Sequence, residues 1–243
     1  MVSKILQTRE KLYEGSSKIM YESDDESVLI QFFKDDMLMQ DGTTLQVSGK
    51  GVIKNNISAF VMEMMDLAGI NNHFFEKVNM REQQVQIVEI VPVKVCVSNV
   101  AAGRYVSQFG IEEGYVFDHP IIDYRVKNRE KGYPSINEQQ MDYFGWIDQE
   151  ETVELAHQAL RVNDFLSGLF AGVGIRLVEC QLEFGRIFDG LDFAFILADE
   201  ITPDNCRLWD LETNQKLDFE YAAENPENAI SIYKEIAKRF KLK

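Results

Sequence analysis

The sequence predicts an α+β fold in two lobes, and three observations carry that prediction. The first third of its 243 residues is strand-rich, with short β-branched and aromatic runs set between Gly-Ser and acidic turns. Two stretches, about 51–67 and 149–171, place apolar residues at helical spacing. Two further β-rich runs, 175–184 and 193–200, flank Asp189-Gly190 like the arms of a hairpin. The boundary falls near Gln83, giving an N-terminal β-rich lobe over 1–83 and a second lobe over 84–243. A cleft between two lobes is a common place for a small-ligand site.

In order along the chain, Lys11–Tyr13 and Ile19–Tyr21 read as strands around Gly15-Ser16-Ser17, and Ser27–Phe33 as a third after Asp24-Asp25-Glu26. In the first helix Ile57, Phe60, Val61, Met64 and Met65 recur at three and four, and Gly69 stops it. Its methionines read as core filler. Val85–Val97 is the next strand region, and Asn128–Asn137 a loop. The second helix opens on Asp148 with Glu151 three residues on, a capping-box spacing, and closes at Gly172 and Gly174. His157 within it reads as a surface or packing residue. A last amphipathic helix, about Pro226–Phe240, ends in basic residues, as the helix dipole favours.

Composition bounds the function. Hydrophobic residues at 45% and charged residues at 27% are globular values, and there is no apolar run of the ~20 residues a membrane span needs. Residues 1–10 lack a signal-peptide apolar segment and cleavage-like site. Cys96, Cys180 and Cys206, odd in number and widely spaced, read as reduced thiols of a cytosolic protein. A net charge of −15 excludes a general nucleic-acid binder, because a polyanion would be repelled. A small anionic ligand would need local lysines and arginines, or a metal.

The hairpin supplies the strongest chemical signal. Along Leu177–Phe184, Val178, Cys180, Leu182 and Phe184 fall on one face and Glu179, Gln181 and Glu183 on the other. A solvated strand face gives the same alternation. The partner run ends in Asp199-Glu200, however, so Glu183 and Asp199 are candidate oxygen ligands for Mg²⁺. They share a face only if the connection shifts the register by an odd residue, which predicts a three- or five-residue loop or a bulge. Gly15-Ser16-Ser17-Lys18 and Ser48-Gly49-Lys50-Gly51 are candidate phosphate loops, the second before a helix N-terminus. Neither is a Walker A sequence, and plain surface turns have the same composition. Arg207 is a candidate bidentate clamp for a phosphate or carboxylate, or else a partner of Asp204 or Asp210.

Leu12-Tyr13-Glu14-Gly15, Ser48-Gly49-Lys50-Gly51, Asn99 with Ala101-Ala102-Gly103, Gly110–Gly114, Leu182-Glu183-Phe184-Gly185, Asp199-Glu200 and Arg207-Leu208-Trp209-Asp210 stand in the order of the SAICAR synthetase family, which the chain resembles over nearly its whole length. The resemblance implies a kinase-like antiparallel β lobe covering a nucleotide (1–83) and an ATP-grasp-like catalytic lobe with a C-terminal helix (84–243). It implies ATP and Mg²⁺ as cofactors, and a carboxylate activated as an acyl phosphate and coupled to an amine such as that of aspartate. It assigns Gly15, Ser16, Lys18, Lys127, Glu183 and Asp199 to the nucleotide, the last two also to the metal. Glu179, Gln181 and Arg207 fall to the chemistry, and Lys50, Ser98, Asn99, Gly103, Arg104 and again Arg207 to the substrate. The chain departs from the family pattern at Ser16, Lys94, Ser98, Arg104, Gln108, Glu179-Cys180-Gln181 and Tyr133. These departures lie mostly on the substrate side, which predicts an altered carboxylate substrate. The alternatives are a SAICAR synthetase of de novo purine synthesis with drifted motifs, or a non-catalytic nucleotide-binding paralogue. The implied partners are a small carboxylate and an amine, with no nucleic acid or membrane, in the cytoplasm; assembly as a homo-oligomer is left open.

Overall fold

The computed structural model describes residues 9–39, 41–188, 190 and 193–242. The reading of 1–10 as free of a signal segment lies almost wholly outside them, as do Asp189 and Leu191 of the hairpin connection.

Strands β1 (Lys11–Glu14), β2 (Lys18–Glu22), β3 (Val28–Phe33), β6 (Phe74–Lys77) and β7 (Glu82–Gln86) form an antiparallel sheet in the order β1-β2-β3-β7-β6. Beside it β4 (Asp36–Leu38) and β5 (Thr44–Gln46) pair with each other and lead into helix α1 (Lys50–Leu67). The second sheet runs β10 (Ser135–Ile136), β9 (Val116–Val126), β8 (Glu89–Val100), β11 (Ile175–Phe188) and β12 (Phe193–Ala198). Strand β13 (Cys206–Asp210) pairs with the first half of the edge of β11 whose second half holds β12. The short helices α2 (Arg104–Ser107), α3 (Glu138–Tyr143) and α5 (Phe219–Glu224) decorate this sheet, and α4 (Gln149–Ala171) packs on it. Helix α6 (Ala229–Arg239) lies against α1.

The run read as one strand over Val85–Val97 is two strands in different sheets, β7 and β8. The crossing needs Gly185, where a Cβ would stand 2.3 Å from a methyl of Val88. The predicted loop over 128–137 contains β10, and the last predicted helix begins as a 3₁₀ turn, Pro226–Asn228, before α6. The capping box of α4 is present in full: Asp148 accepts from the Glu151 amide at 2.8 Å, and Glu151 accepts from the Asp148 amide at 3.1 Å. His157 is exposed, and Met62 and Met65 are buried core.

One face of the second sheet is apolar and packed under α4. Val93, Val95 and Val97 of β8, Leu182 and Phe184 of β11, and Leu155, Val162 and Leu166 of α4 belong to one cluster. That cluster also holds Ile57 and Met62 of α1 with Ile232 and Ile236 of α6, so the core is continuous across the Gln83 boundary. A register shift between Leu177 and Glu179 changes the predicted alternation. It places Leu177 in the main core, while Val178 packs on the other side with Val100, Ala102 and Trp209. The opposite face of the sheet displays Lys94, Ser98, Glu179, Gln181 and Glu183.

Candidate active site

Period-two alternation fixes what that face displays. Lys94, Cys96 and Ser98 of β8 stand opposite Glu183, Gln181 and Glu179 of β11 and beside Arg125, Asp123 and Ile121 of β9. The solvated-face reading of Glu179 and Glu183 fails, because both carboxylates are buried.

At one end Glu183 accepts from Lys94 at 3.3 Å and from Lys127 at the end of β9. Phe188 pairs with Phe193, so four residues connect β11 and β12, not the predicted three or five. Glu183 therefore faces Ala198, and continued alternation would send Asp199 to the opposite side. It does not continue: the strand ends at Ala198 and Asp199 takes a left-handed φ of 65°, which re-aims its side chain. Asp199 pairs with Lys18 of β2, and Lys18 also lies 3.2 Å from Glu200 and feels Glu183. Burial opposes ionisation of Asp199, but Lys18, Lys94 and Lys127 outweigh it and hold the carboxyl well below the usual range. The same pairing raises Lys18 and Lys94 against burial, through Asp199 and Glu200 for the first and Glu183 and Asp199 for the second. Glu183 and Asp199 thus share one lysine cluster by a route the sequence argument did not contain. Among the described residues no three His, Cys, Asp or Glu side chains converge as a cation cage. Two hard carboxylate donors beside three ammonium groups fit Mg²⁺ arriving with phosphate oxygens as its remaining ligands.

At the other end Glu179 accepts from Ser98 at 3.3 Å and from Gln181 at 3.0 Å, and stands opposite Arg207 on β13. Arg207 pairs with neither Asp204 nor Asp210 but with Glu220 on α5. Gly103, at φ 52°, lies against it: a Cβ there would stand 2.9 Å from Arg207 Nη2. Arg104 pairs with Asp123, which also accepts from Tyr105 at 2.6 Å.

Other predicted residues are placed otherwise. The amides of Gly49 and Gly51, read as an anion site, are taken by Asp35 at 3.2 and 2.9 Å. Asp35 is itself held by Arg81 at 2.8 Å. Gly51 admits nothing larger, since a Cβ would stand 2.4 Å from the Phe33 carbonyl oxygen. Lys50, expected on the substrate, is fully buried against Asp204 at 2.9 Å and the Asp36 carbonyl at 3.1 Å. Asn99 exchanges amide hydrogen bonds of 2.8 and 3.0 Å with Asn163 on α4. In the Gly15–Lys18 turn the Gly15 amide donates to the Lys18 carbonyl at 2.9 Å, and Ser16 is exposed at its tip.

Sequence reasoning missed a buried chain of charges behind Asp199. Glu200 binds Lys54 at 3.0 Å, Lys54 binds Asp204 at 2.6 Å, and Asp204 accepts from Tyr233 on α6. The i, i+4 spacing of Lys50 and Lys54 among apolar residues was the available signal. Lys94 departs from the family pattern, yet the alternation of Val93-Lys94-Val95-Cys96-Val97-Ser98 is the signal that sets it on the face of Ser98.

Two groups beside the site titrate in opposite senses. His73 donates from Nε2 to the Asp199 carbonyl at 2.8 Å, and burial lowers its pKa from 6.5 to about 4. Its unfolded form takes up a proton first, so its contribution to stability is complete above pH 6.5 and lost as pH falls to about 4. Asp218 caps α5, and burial raises its pKa from 3.8 to about 6. Its contribution is complete below pH 3.8 and lost as pH rises to about 6. Each is worth about 3 kcal/mol, so they offset between pH 4 and 6. Asp218→Asn removes one side of that balance. From pH 6 to pH 4 the variant is expected to lose about 2 kcal/mol more unfolding free energy than the parent, measured by urea denaturation.

Comparison with known proteins bears on this arrangement. The SAICAR synthetase family model matches residues 11–240. The phosphoribosylaminoimidazole-succinocarboxamide synthase of Rickettsia canadensis (strain McKiel) is 52% identical over 235 residues, covering 97% of this chain and all of that protein. The enzyme of the same name from Rickettsia felis is 53% identical over 233 residues, covering 96% and 99%. The crystal structure of that synthase from Ehrlichia chaffeensis superposes with a TM-score of 0.92 at 37% identity over 96% of this chain and 99% of its own. A SAICAR synthetase in complex with ADP superposes with a TM-score of 0.87 at 35% identity over 93% and 96%. These matches give no support to an altered carboxylate substrate. Departures from a general family pattern do not mark a changed reaction when synthases at this identity match end to end.

Proposed function

The chain belongs to the SAICAR synthetase family, and on that premise we propose that it catalyses the synthase reaction itself, ATP-dependent coupling of carboxyaminoimidazole ribotide to aspartate. The supporting observation is one polar sheet face with a cationic cluster at each end. Lys18, Lys94 and Lys127 surround Glu183 and Asp199 at one end, and at the other Arg207 stands opposite Glu179 while Arg104 pairs with Asp123 of β9.

The first end suits the nucleotide phosphates, with 1–83 as the lobe that covers them and 84–243 as the catalytic lobe. Glu183 and Asp199 would hold Mg²⁺, which supplies neutralisation of phosphate charge. The second end suits the anionic acceptor, which brings its carboxylate toward the γ-phosphate across the row between. A carboxylate oxygen attacks the γ-phosphorus, the bond to ADP breaks, and an acyl phosphate forms. The amine of aspartate then attacks the acyl carbon, phosphate leaves, and the amine proton passes to solvent. The protein's part is positioning and charge stabilisation, which carry most of the rate in such transfers. Glu179, oriented by Ser98 and Gln181, supplies negative charge beside the Arg207 guanidinium. No helix among the described residues is long and apolar enough to cross a membrane, and the three cysteines are free and buried. We place the enzyme in the cytoplasm.

The test is ADP release and product formation by the purified protein with ATP, Mg²⁺, aspartate and the ribotide. Amide product matching ADP one to one is expected. No product from this set, with turnover of another carboxylate–amine pair, would restore the altered-substrate reading.

A further inference from the structure

The guanidinium assigned to the acceptor already holds an anion. Arg207 Nη1 donates to Glu220 Oε2 at 2.5 Å and Nη2 donates to Oε1, the fork-to-fork geometry with which arginine grips a carboxylate or phosphate. The two partners differ in burial: the Arg207 side chain is 12% exposed and that of Glu220 53%. On its inner side the guanidinium lies against Gly103 and feels the Glu179 carboxylate on the next strand. Its Nε, like that of Arg104, is a buried donor without a partner among the described residues. Glu220 sits on the six-residue α5 and approaches from solvent. The donor groups that face outward are therefore occupied by a carboxylate the chain itself supplies from the side where a ligand would enter.

We propose that Glu220 is an affinity-setting latch, an internal carboxylate that occupies the Arg207 fork until the phosphate of the acceptor displaces it. This rests on the assignment of Arg207 to the acceptor substrate. An ion pair with one exposed partner contributes little, so a phosphate dianion with its greater charge displaces it readily. A monoanion exchanges like for like and gains nothing. The latch thus raises the concentration at which every anion binds by one common factor, so that at a given concentration the dianion, with the greater affinity for the fork, still occupies it where a carboxylate such as that of free aspartate does not.

Steady-state kinetics of the full chain with Glu220→Gln, Glu220→Asp and Arg207→Lys test this. Glu220→Gln is expected to lower the KM for the ribotide and the inhibition constant of inorganic phosphate by about two- to fivefold, the range an exposed ion pair spans. Glu220→Asp, which keeps the charge, is expected to restore values near the parent's. The KM for ATP, bound at the other end of the face, is the internal reference, and the thermal midpoint reports folding. An unchanged or raised ribotide KM in Glu220→Gln overturns the latch; a raised one would make Glu220 a support that pre-orients Arg207. Arg207→Lys separates the two claims. If it leaves the ribotide KM and phosphate inhibition untouched, the assignment of Arg207 itself has failed. If it raises both while Glu220→Gln lowers neither, only the latch has failed.

Discussion

Glu183→Gln is expected to cut turnover by about 10²–10³-fold with the fold retained, the loss typical of removing one charged or hydrogen-bonding element from a preorganised site. Glutamine keeps the length and removes the charge that Lys94 and Lys127 share. Glu183 is the strongest influence holding Lys94 charged against burial, ahead of Asp199. On the proposed assignment the variant loses an oxygen ligand for Mg²⁺ and loosens a lysine at once. Circular dichroism should match the parent, because Glu183 lies on the polar face and outside the apolar cluster under α4. Turnover at saturating ATP should recover only in part at high Mg²⁺, since metal affinity is one component of the loss. Full turnover in Glu183→Gln would remove this residue from the metal and nucleotide site.

What the sequence disclosed about this site follows from which interactions are local. Alternation along β11 put Glu179, Gln181 and Glu183 on one face, and the capping box at Asp148 placed the start of α4. Both are properties of a few consecutive residues. The relation of Glu183 to Asp199 was not legible, because a single left-handed residue at the strand end overrides the parity of the loop. Nothing local marks Asp199 for that conformation; the His73 hydrogen bond to its carbonyl comes from 126 residues away. The phosphate-loop reading of Ser48–Gly51 failed for a similar reason. A helix N-terminus binds whichever anion reaches it first, and Asp35 is held there by Arg81, 46 residues distant in sequence. Several family motifs fall on the polar face, but departures from them misled. A motif records residue types without the partner that gives each its role: Lys94, a departure from the pattern, is an ion-pair partner of Glu183.

The largest effect on stability is expected at a residue no motif contains. Lys54 is fully buried, bonds Glu200 at 3.0 Å and Asp204 at 2.6 Å, and lies 5.6 Å from the centroid of the Phe33 ring. Burial alone would drive off its proton, yet Asp204 and Glu200 raise its pKa above the ordinary lysine value. Methionine reproduces its length and supplies no charge. In Lys54→Met, Glu200 would keep Lys18 and Thr202, and Asp204 would keep Lys50 and Tyr233, but each loses its deepest partner. Removing one member of a buried ion network while the others stay charged costs about 3–5 kcal/mol. That loss, read from urea unfolding at neutral pH, is the expected result, and a change below about 1 kcal/mol would mean that Lys18 and Lys50 neutralise the carboxylates unaided. The same variant links stability to function, because Glu200 is the residue after Asp199 and anchors the turn that re-aims it. The KM for ATP should therefore rise along with the loss of stability. Pairing Lys54→Met with Glu200→Gln separates the two effects: removing the stranded charge should recover part of the unfolding free energy, with a coupling of about 1–3 kcal/mol. It should not recover the KM, since glutamine cannot hold Lys18 beside Asp199 as a carboxylate does.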